Sequence, residues 1–266
     1  VNYHYSIDDV ILNRPNVVND LGVTFDAKLS FSCHIRKISD DAYKCLGFVI
    51  RNSKSFNDTS TIMTLYIAFV RSKIEYASTI WSPCYKIYCS DLEKIQRRFL
   101  KFCAFFVDGF YPIRNFPQDL LLSRFALQSL LIRRSMQASV ILFKIIQNIV
   151  ECKYIFNQIS LHTPRINCRY HHIFQPLRAR TNMLMFSPLN QMILSYCSVE
   201  KDVDIFNCKL NQLKRCFHKW QYKEVKHQHW YLIENYSWFH YILRVYIIVL
   251  IVFYNYYLSS PNWDLQ

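Results

Sequence analysis

The sequence predicts a mainly α-helical protein with a small β-hairpin or sheet remnant at its N-terminus. Residues 3–12 alternate apolar and polar side chains with the period of a strand, and residues 22–25 indicate a further short strand. From Ser32 onward, apolar residues recur at spacings of three and four, which is typical of amphipathic helices. Hydrophobic residues make up 52% of the 266-residue chain, so the chain can bury a substantial core.

Charge and composition narrow the classes of function. Only three glycines occur, which excludes the Gly-rich phosphate loops of P-loop and dinucleotide-binding proteins. The formal net charge of +13 favours polyanionic partners such as nucleic acid or anionic lipid. The ten cysteines show no paired framework, and a chain of this length needs no disulfides. An intracellular location, in the nucleus or cytoplasm, is therefore expected.

The predicted N-terminal strands are followed by two helices. Strands are expected within residues 3–12 and over residues 22–25. The first helix begins near Ser32, and its apolar stripe consists of Phe31, Ile35, Ile38, Ala42, Cys45 and Val49. The second helix follows the capping cluster Asn57-Asp58-Thr59 and ends before Pro83. Its expected core residues are Ile62, Leu65, Phe69, Ala77 and Trp81, and Tyr76 is also expected in the core.

The third predicted helix has the clearest pattern. Ser90-Asp91-Leu92-Glu93 indicates a capping box at its start. Its apolar stripe consists of Leu92, Ile95, Phe99, Phe102 and Phe106. On the opposite side, four cations at positions i, i+3, i+4 and i+7 predict one basic face, formed by Lys94, Arg97, Arg98 and Lys101.

The remaining elements are less regular. A long helical stretch from about residue 119 to residue 149 is predicted to break near Gln128-Ser129. Residues 160–190 predict an irregular connector, and residues 202–220 predict a short helix.

Five phrases of the sequence occur serially and carry a family resemblance. They are DLGVTFDAKLSFSCHI, AYKCLGFVIRNSKSF, LYIAFVRSKIEYASTIWSP, LEKIQRRFLKF and LQSLLIRRSMQASVILFK. In this order and spacing they resemble the C-terminal part of the reverse transcriptase of jockey-like LINE (non-LTR) retrotransposons. The resemblance extends over residues 1–220 and fades near Trp220.

The resemblance implies a fold and an activity. In that family the DLGV stretch follows the polymerase palm, and the next helices form the thumb and its continuation. We therefore expect a thumb-like helical bundle from an RNA-directed DNA polymerase. The parent enzyme uses Mg²⁺ held by aspartates, including a pair in an aromatic-Ala-Asp-Asp turn.

The catalytic aspartates of the family map to no residue of this chain. Ser6-Ile7-Asp8-Asp9 departs from the family turn, so its two aspartates are expected in an ordinary hairpin turn. The chain is therefore expected to bind no cofactor and not to polymerise alone. The missing palm and endonuclease regions are the expected protein partners.

The resemblance also implies an RNA template and an RNA/DNA duplex as ligands. Lysine and arginine neutralise phosphates without reading sequence, although such charges also occur on plain solvated helix faces. The candidate nucleic-acid-binding residues are Lys94, Arg97, Arg98, Lys101, Arg133 and Arg134.

Two further features allow other interpretations. Cys208, Cys216, His218, His227 and His229 lack the Cys-x-x-Cys spacing of structural zinc sites, so no metal site is predicted there. Residues 241–258 are almost continuously apolar. They suggest a small membrane-anchored helical protein, a buried helix or strand, or a reading frame that continues past the element's authentic end. The last interpretation is preferred, and a non-enzymatic nucleic-acid-binding module is a further alternative.

The predicted organisation has four parts. Residues 1–31 are the end of the palm or a hairpin remnant, and residues 32–150 are the thumb-like helical domain. Residues 151–220 are a connector and a helix, and residues 221–266 are an apolar, Tyr/Ile-rich tail.

Overall fold

The computed structural model describes residues 6–8, 10–11, 15–56, 58–114, 116–163 and 172–222. The described part is mainly helical, with short antiparallel strands near the N-terminus, as the sequence predicts. Strand β1 (Ser6–Ile7) pairs with β2 (Val10–Ile11), and β3 (Val17–Asp20) pairs with β4 (Val23–Asp26). Asp8 lies between β1 and β2 with a φ of 49°, a turn conformation that aspartate tolerates.

Eleven α-helical segments follow in the described residues. They are α1 (Ser32–Asn52), α2 (Thr59–Leu65), α3 (Ser72–Glu75), α4 (Ser78–Trp81), α5 (Lys86–Asp108), α6 (Gln118–Arg124), α7 (Leu130–Ile146), α8 (Lys153–Phe156), α9 (Asn182–Met185), α10 (Pro188–Cys197) and α11 (Leu210–Tyr222). A 3₁₀ turn (Ser53–Ser55) follows α1, and a π-helical stretch (Tyr66–Arg71) joins α2 to α3.

Several local signals are confirmed. Helix α1 begins at Ser32, and the Asp58 side chain caps α2 by accepting a hydrogen bond from the Ser60 N–H at 3.0 Å. The long helical stretch breaks before Ser129, whose hydroxyl accepts a hydrogen bond from the Ile132 N–H at the start of α7. The starts of α2 and α7 depend on side chains adjacent in sequence, which is why the sequence predicted them.

The second helix was predicted to be continuous, and this prediction is wrong. It contains the π-helical stretch and then breaks at Ala77, whose φ of 50° ends α3 before α4 begins. The indole N–H of Trp81 donates a hydrogen bond to the freed Tyr76 carbonyl at 2.8 Å. Trp81 itself is fully buried, as predicted.

Tyr76 is not a core residue, contrary to the prediction. Its side chain is 57% exposed, and its hydroxyl donates a hydrogen bond to the Leu21 carbonyl at 2.9 Å. Leu21 and Gly22 form the β3–β4 turn with φ values of 45° and 82°, the positive values that a tight hairpin turn requires. The helix break therefore directs Tyr76 onto the hairpin.

The predicted capping box is also wrong. Helix α5 starts at Lys86, so Ser90 lies inside the helix. Both acidic residues of the motif have other partners. Asp91 forms an ion pair with Lys94, and Glu93 accepts a hydrogen bond from the Leu131 N–H at the start of α7.

The C-terminal elements differ from the prediction in two places. Helix α10 begins at the end of the predicted connector and continues to Cys197, where no helix was predicted. Pro188 occupies its first turn, where the missing N–H of proline costs nothing. The last helix begins at Leu210, not at Asp202, since the segment between them forms turns in which Asp204 accepts a hydrogen bond from the Phe206 N–H.

The described side chains form two apolar clusters. The first runs from Val23 to Leu130 and contains the face-to-face stack of Tyr66 on Phe99, with ring centroids 3.9 Å apart. The second runs from Met136 to Phe217 and is formed mainly by α7, α10 and α11. Helix α7 contributes to both clusters and joins them.

Among the described residues, no helix has both the length and the apolar character that a membrane span requires. The apolar segment 241–258 lies outside the described residues, as does the rest of the chain after residue 222.

His34 connects the β3–β4 hairpin to the helices. It is buried against the edge of the Trp81 ring, and its Nδ1 accepts a hydrogen bond from the Thr24 N–H at 3.3 Å. Burial lowers the pKa of His34, and the nearby charge of Lys37 lowers it further. The imidazole must be neutral at Nδ1 to make this contact.

We expect the free energy that His34 contributes to folding to be lost in acid. Below its ordinary pKa of 6.5, the unfolded chain takes up a proton that folded His34 resists, so stability falls as the pH falls. In urea unfolding from pH 8 to pH 5, the difference in unfolding free energy between the wild type and His34→Gln should shrink. Gln keeps an acceptor for the Thr24 N–H, and a difference that is independent of pH would contradict the assignment.

Candidate nucleic-acid interface

Helix α5 positions the predicted basic face. Leu92, Ile95 and Phe99 are fully buried in the first apolar cluster. Because positions i, i+3 and i+7 share one side of a helix, their burial directs the opposite side outward. The predicted basic residues of α5 lie on that outward side.

Lys94, Arg98 and Lys101 reach the surface to different extents. Lys94 and Arg98 are exposed, and Lys101 is half-buried. The Lys94 ammonium lies 2.7 Å from an Asp91 carboxylate oxygen, a contact that raises the pKa of Lys94. Among the described residues, no carboxylate lies within ion-pair distance of Arg98 or Lys101.

Arg97 points toward the neighbouring loop. Its Nη2 donates a hydrogen bond to the Phe116 carbonyl at 3.2 Å, and its Nε is buried without a partner in the described residues. Part of this guanidinium is therefore engaged in holding the loop that follows α5.

An exposed aromatic pair, Phe105 and Tyr111, lies at the end of the basic face. The sequence did not predict this pair. Phe105 follows Lys101 at i+4 and stacks on Tyr111, with ring centroids 4.4 Å apart and planes inclined by 13°. Tyr111 is 59% exposed, and its neighbours Phe110 and Ile113 are exposed as well. The helical register carried a signal for Phe105, whereas the position of Tyr111 depends on the loop.

Arg133 faces into the protein. Its guanidinium makes a two-pronged contact with the Glu75 carboxylate, including an Nη2 to Oε2 distance of 2.8 Å. The same carboxylate accepts a hydrogen bond from Gln137 at 3.2 Å and lies 3.7 Å from the Arg71 Nε. Glu75 thus joins α7 to the segment that contains α3.

Arg134 is 5% exposed and does not reach the surface. None of its three guanidinium nitrogens has a hydrogen-bond partner among the described residues. Burial lowers the pKa of Arg134, while Cys89, Glu93 and Glu75 act in the opposite direction. Burial likewise raises the pKa of Glu93, whereas the hydrogen bond from the Leu131 N–H and the charge of Arg134 lower it.

The dismissed zinc candidates are only partly described. Cys208 and Cys216 both line a surface cavity next to α11, and burial raises the pKa of each thiol. His218 is half-buried, and burial lowers its pKa. His227 and His229 lie outside the described residues.

No family model, curated protein or solved structure matches this chain. Three cations and one stacked aromatic pair share the exposed side of α5, while Arg133 and Arg134 lie inside.

We expect the two adjacent arginines to differ in their response to replacement by methionine. Arg133→Met removes two charge-assisted hydrogen bonds and should lower the unfolding free energy by about 1–3 kcal/mol. Arg134→Met removes a buried charge that completes no well-aligned hydrogen bond and is balanced only in part by Cys89 and Glu93, so the loss of stability should be smaller than in Arg133→Met. Urea unfolding of both variants measures this, and an equal loss in both would contradict the distinction.

Proposed function

We propose that this chain is the post-palm part, thumb and continuation, of the RNA-directed DNA polymerase of a jockey-like LINE retrotransposon. Its role is to hold the RNA template and the RNA/DNA duplex, while the catalytic aspartates and their Mg²⁺ belong to a palm that maps to no residue here. The serial resemblance and the mainly helical fold support this proposal. The chain alone carries no polymerase activity in this proposal.

The observation that carries the proposal is the composition of the outward face of α5. Lys94, Arg98 and Lys101 supply positive charge along the helix, and Phe105 with Tyr111 ends the row in an exposed stack. Proteins that bind nucleic-acid strands combine these two elements, because cations neutralise the phosphates and rings stack on the bases. A plain solvated face would not require exposed rings at its end.

The contact set of the proposal differs from the set expected from sequence. Lys94, Arg98 and Lys101 are the direct phosphate contacts, and Arg97 contributes while bound to the loop carbonyl. Arg133 supports the scaffold through Glu75. Arg134, being buried, contributes no contact to a ligand at this surface.

A non-enzymatic nucleic-acid-binding module is the second candidate function, because it would use the same face of α5. In this second candidate function, the chain binds nucleic acid without acting together with a catalytic palm domain. The membrane-anchored alternative depends on residues 241–258, which lie outside the described residues.

Reversal of the three outward charges should remove salt-sensitive binding. We expect Lys94→Glu, Arg98→Glu and Lys101→Glu together to abolish binding to an RNA/DNA hybrid at moderate salt. If some binding remains, the plot of the logarithm of the binding constant against the logarithm of the salt concentration should become less steep by roughly two to three units of slope. Fluorescence anisotropy over a salt series measures both quantities.

The matched control reverses three exposed cations elsewhere, Arg178, Arg180 and Lys209. It changes the net charge equally and should retain most of the binding. Equal losses in the two triple variants would show that affinity follows net charge alone and would overturn the assignment to α5.

The aromatic pair should contribute affinity that is independent of salt. We expect Tyr111→Ala to weaken binding of single-stranded RNA by about 1–3 kcal/mol for a lost stacked base, with an unchanged salt slope. Tyr154→Ala, which removes another exposed tyrosine, is the control and should bind as the wild type does. If Tyr111→Ala binds normally, the pair does not stack on bases.

A further inference from the structure

Three potential metal ligands meet at the end of α10, outside the α5 surface. The His172 imidazole, the Cys197 thiol and a Glu200 carboxylate oxygen all lie within 4.8 Å of one another. Within this group, His172 Nδ1 and Glu200 Oε2 are 2.8 Å apart. Among the described residues, this is the one group of three such ligands with atoms so close together.

The fold holds each of the three residues in place. Cys197 ends α10, and Glu200 lies in the turn that follows. The Ile173 N–H donates a hydrogen bond to the other Glu200 oxygen, Oε1. Next to it, Phe174 is buried edge-on against Tyr196, with ring centroids 5.5 Å apart. The segment that carries His172 is therefore fixed both to Glu200 and to the second apolar cluster.

Burial makes a cation favourable at this position. The Glu200 side chain is only 3% exposed, and a carboxylate so far from water needs a compensating positive charge or hydrogen bonds. A divalent cation bound by both Glu200 and His172 would stabilise the carboxylate at this buried position.

The mixture of ligands selects the kind of metal. Sulfur, imidazole nitrogen and carboxylate oxygen together suit Zn²⁺, whereas Mg²⁺ and Ca²⁺ prefer sites made of oxygen alone. Nitrogen and oxygen ligands of one tetrahedral Zn²⁺ lie about 3.3 Å apart, given bonds of about 2.0–2.1 Å. His172 and Glu200 would thus have to separate by about half an ångström from their present contact, a rotamer-scale adjustment for the partly exposed imidazole.

We propose that His172, Cys197 and Glu200 form a three-ligand Zn²⁺ site. The hydrogen bond from the Ile173 N–H would orient the Glu200 carboxylate from outside the coordination sphere. Three protein ligands leave the fourth position of a tetrahedral Zn²⁺ to a water molecule or a further ligand. On binding, the Cys197 thiol releases its proton to solvent as the sulfur–metal bond forms.

This proposal is independent of the function proposed for α5. Cys197 packs against the second apolar cluster, and none of the three ligands is a residue of the basic face of α5. The sequence signal for this site is weak. Cys197 and Glu200 lie three residues apart, but His172 lies 25 residues before Cys197, and only the fold brings it next to them.

Titration of the full chain with Co²⁺, a spectroscopic substitute for Zn²⁺, tests the site directly. We expect one equivalent to bind, with a near-ultraviolet thiolate-to-metal band and visible bands of a tetrahedral ion. Cys197→Ser should abolish the thiolate band. His172→Asn and Glu200→Gln should weaken Zn²⁺ binding, measured by competition with a chelating dye, at least about tenfold, since even outer-sphere changes cost that much.

Cys208→Ser is the matched control, because it removes a half-buried thiol that lines a separate surface cavity next to α11. It should bind Co²⁺ like the wild type. Glu200→Gln retains an acceptor for the Ile173 N–H and serves if Cys197→Ser fails to fold. Absence of stoichiometric binding, or a thiolate band that persists in Cys197→Ser and disappears in Cys208→Ser, would overturn the proposal.

Discussion

The burial of one face of α5 is the constraint on which the rest of the structure depends. Phe99 stacks on Tyr66 at the centre of the first apolar cluster, and Leu92 and Ile95 are fully buried beside it. A helix has a fixed period, so fixing this face also fixes the direction of every other side chain on α5. The outward row of cations that ends at Phe105 is therefore a consequence of how the core packs.

The second organising feature is the polar contact between α7 and the segment around α3. Glu75 accepts hydrogen bonds from Arg133 and Gln137, and Gln137 in turn accepts one from Ser78 at 2.6 Å. Helix α7 starts in the first apolar cluster and ends in the second. Reorienting the two clusters would break this network and leave the Glu75 carboxylate poorly solvated, which is costly for a charged group. The polar contact thus fixes how α7 joins them.

The sequence predicted those features whose causes are local. The Asp58 cap and the break before α7 depend on neighbouring side chains, and the start of α1 follows from its apolar period. The errors came from partners distant in sequence, since Glu93 bonds to the backbone of α7 and Tyr76 bonds to a hairpin turn. The candidate site shows the same division between local and distant causes. Helical spacing identified the cations of α5. The burial of Arg134 and the position of Tyr111 depend on distant parts of the chain, so neither has a local signal.

The location of the aromatic pair helps to decide what the exposed face of α5 contacts. Exposed apolar side chains alone would equally suit a protein partner, such as the palm of the proposed polymerase. However, Phe105 shares its helix face with Lys101 and Arg98, so any ligand that covers the ring also covers the cations. An apolar protein surface would desolvate those charges without compensation, whereas a nucleic-acid strand offers phosphates and bases together. From Lys94 to Phe105 the helix rises about 16 Å, enough to follow several nucleotides of one strand.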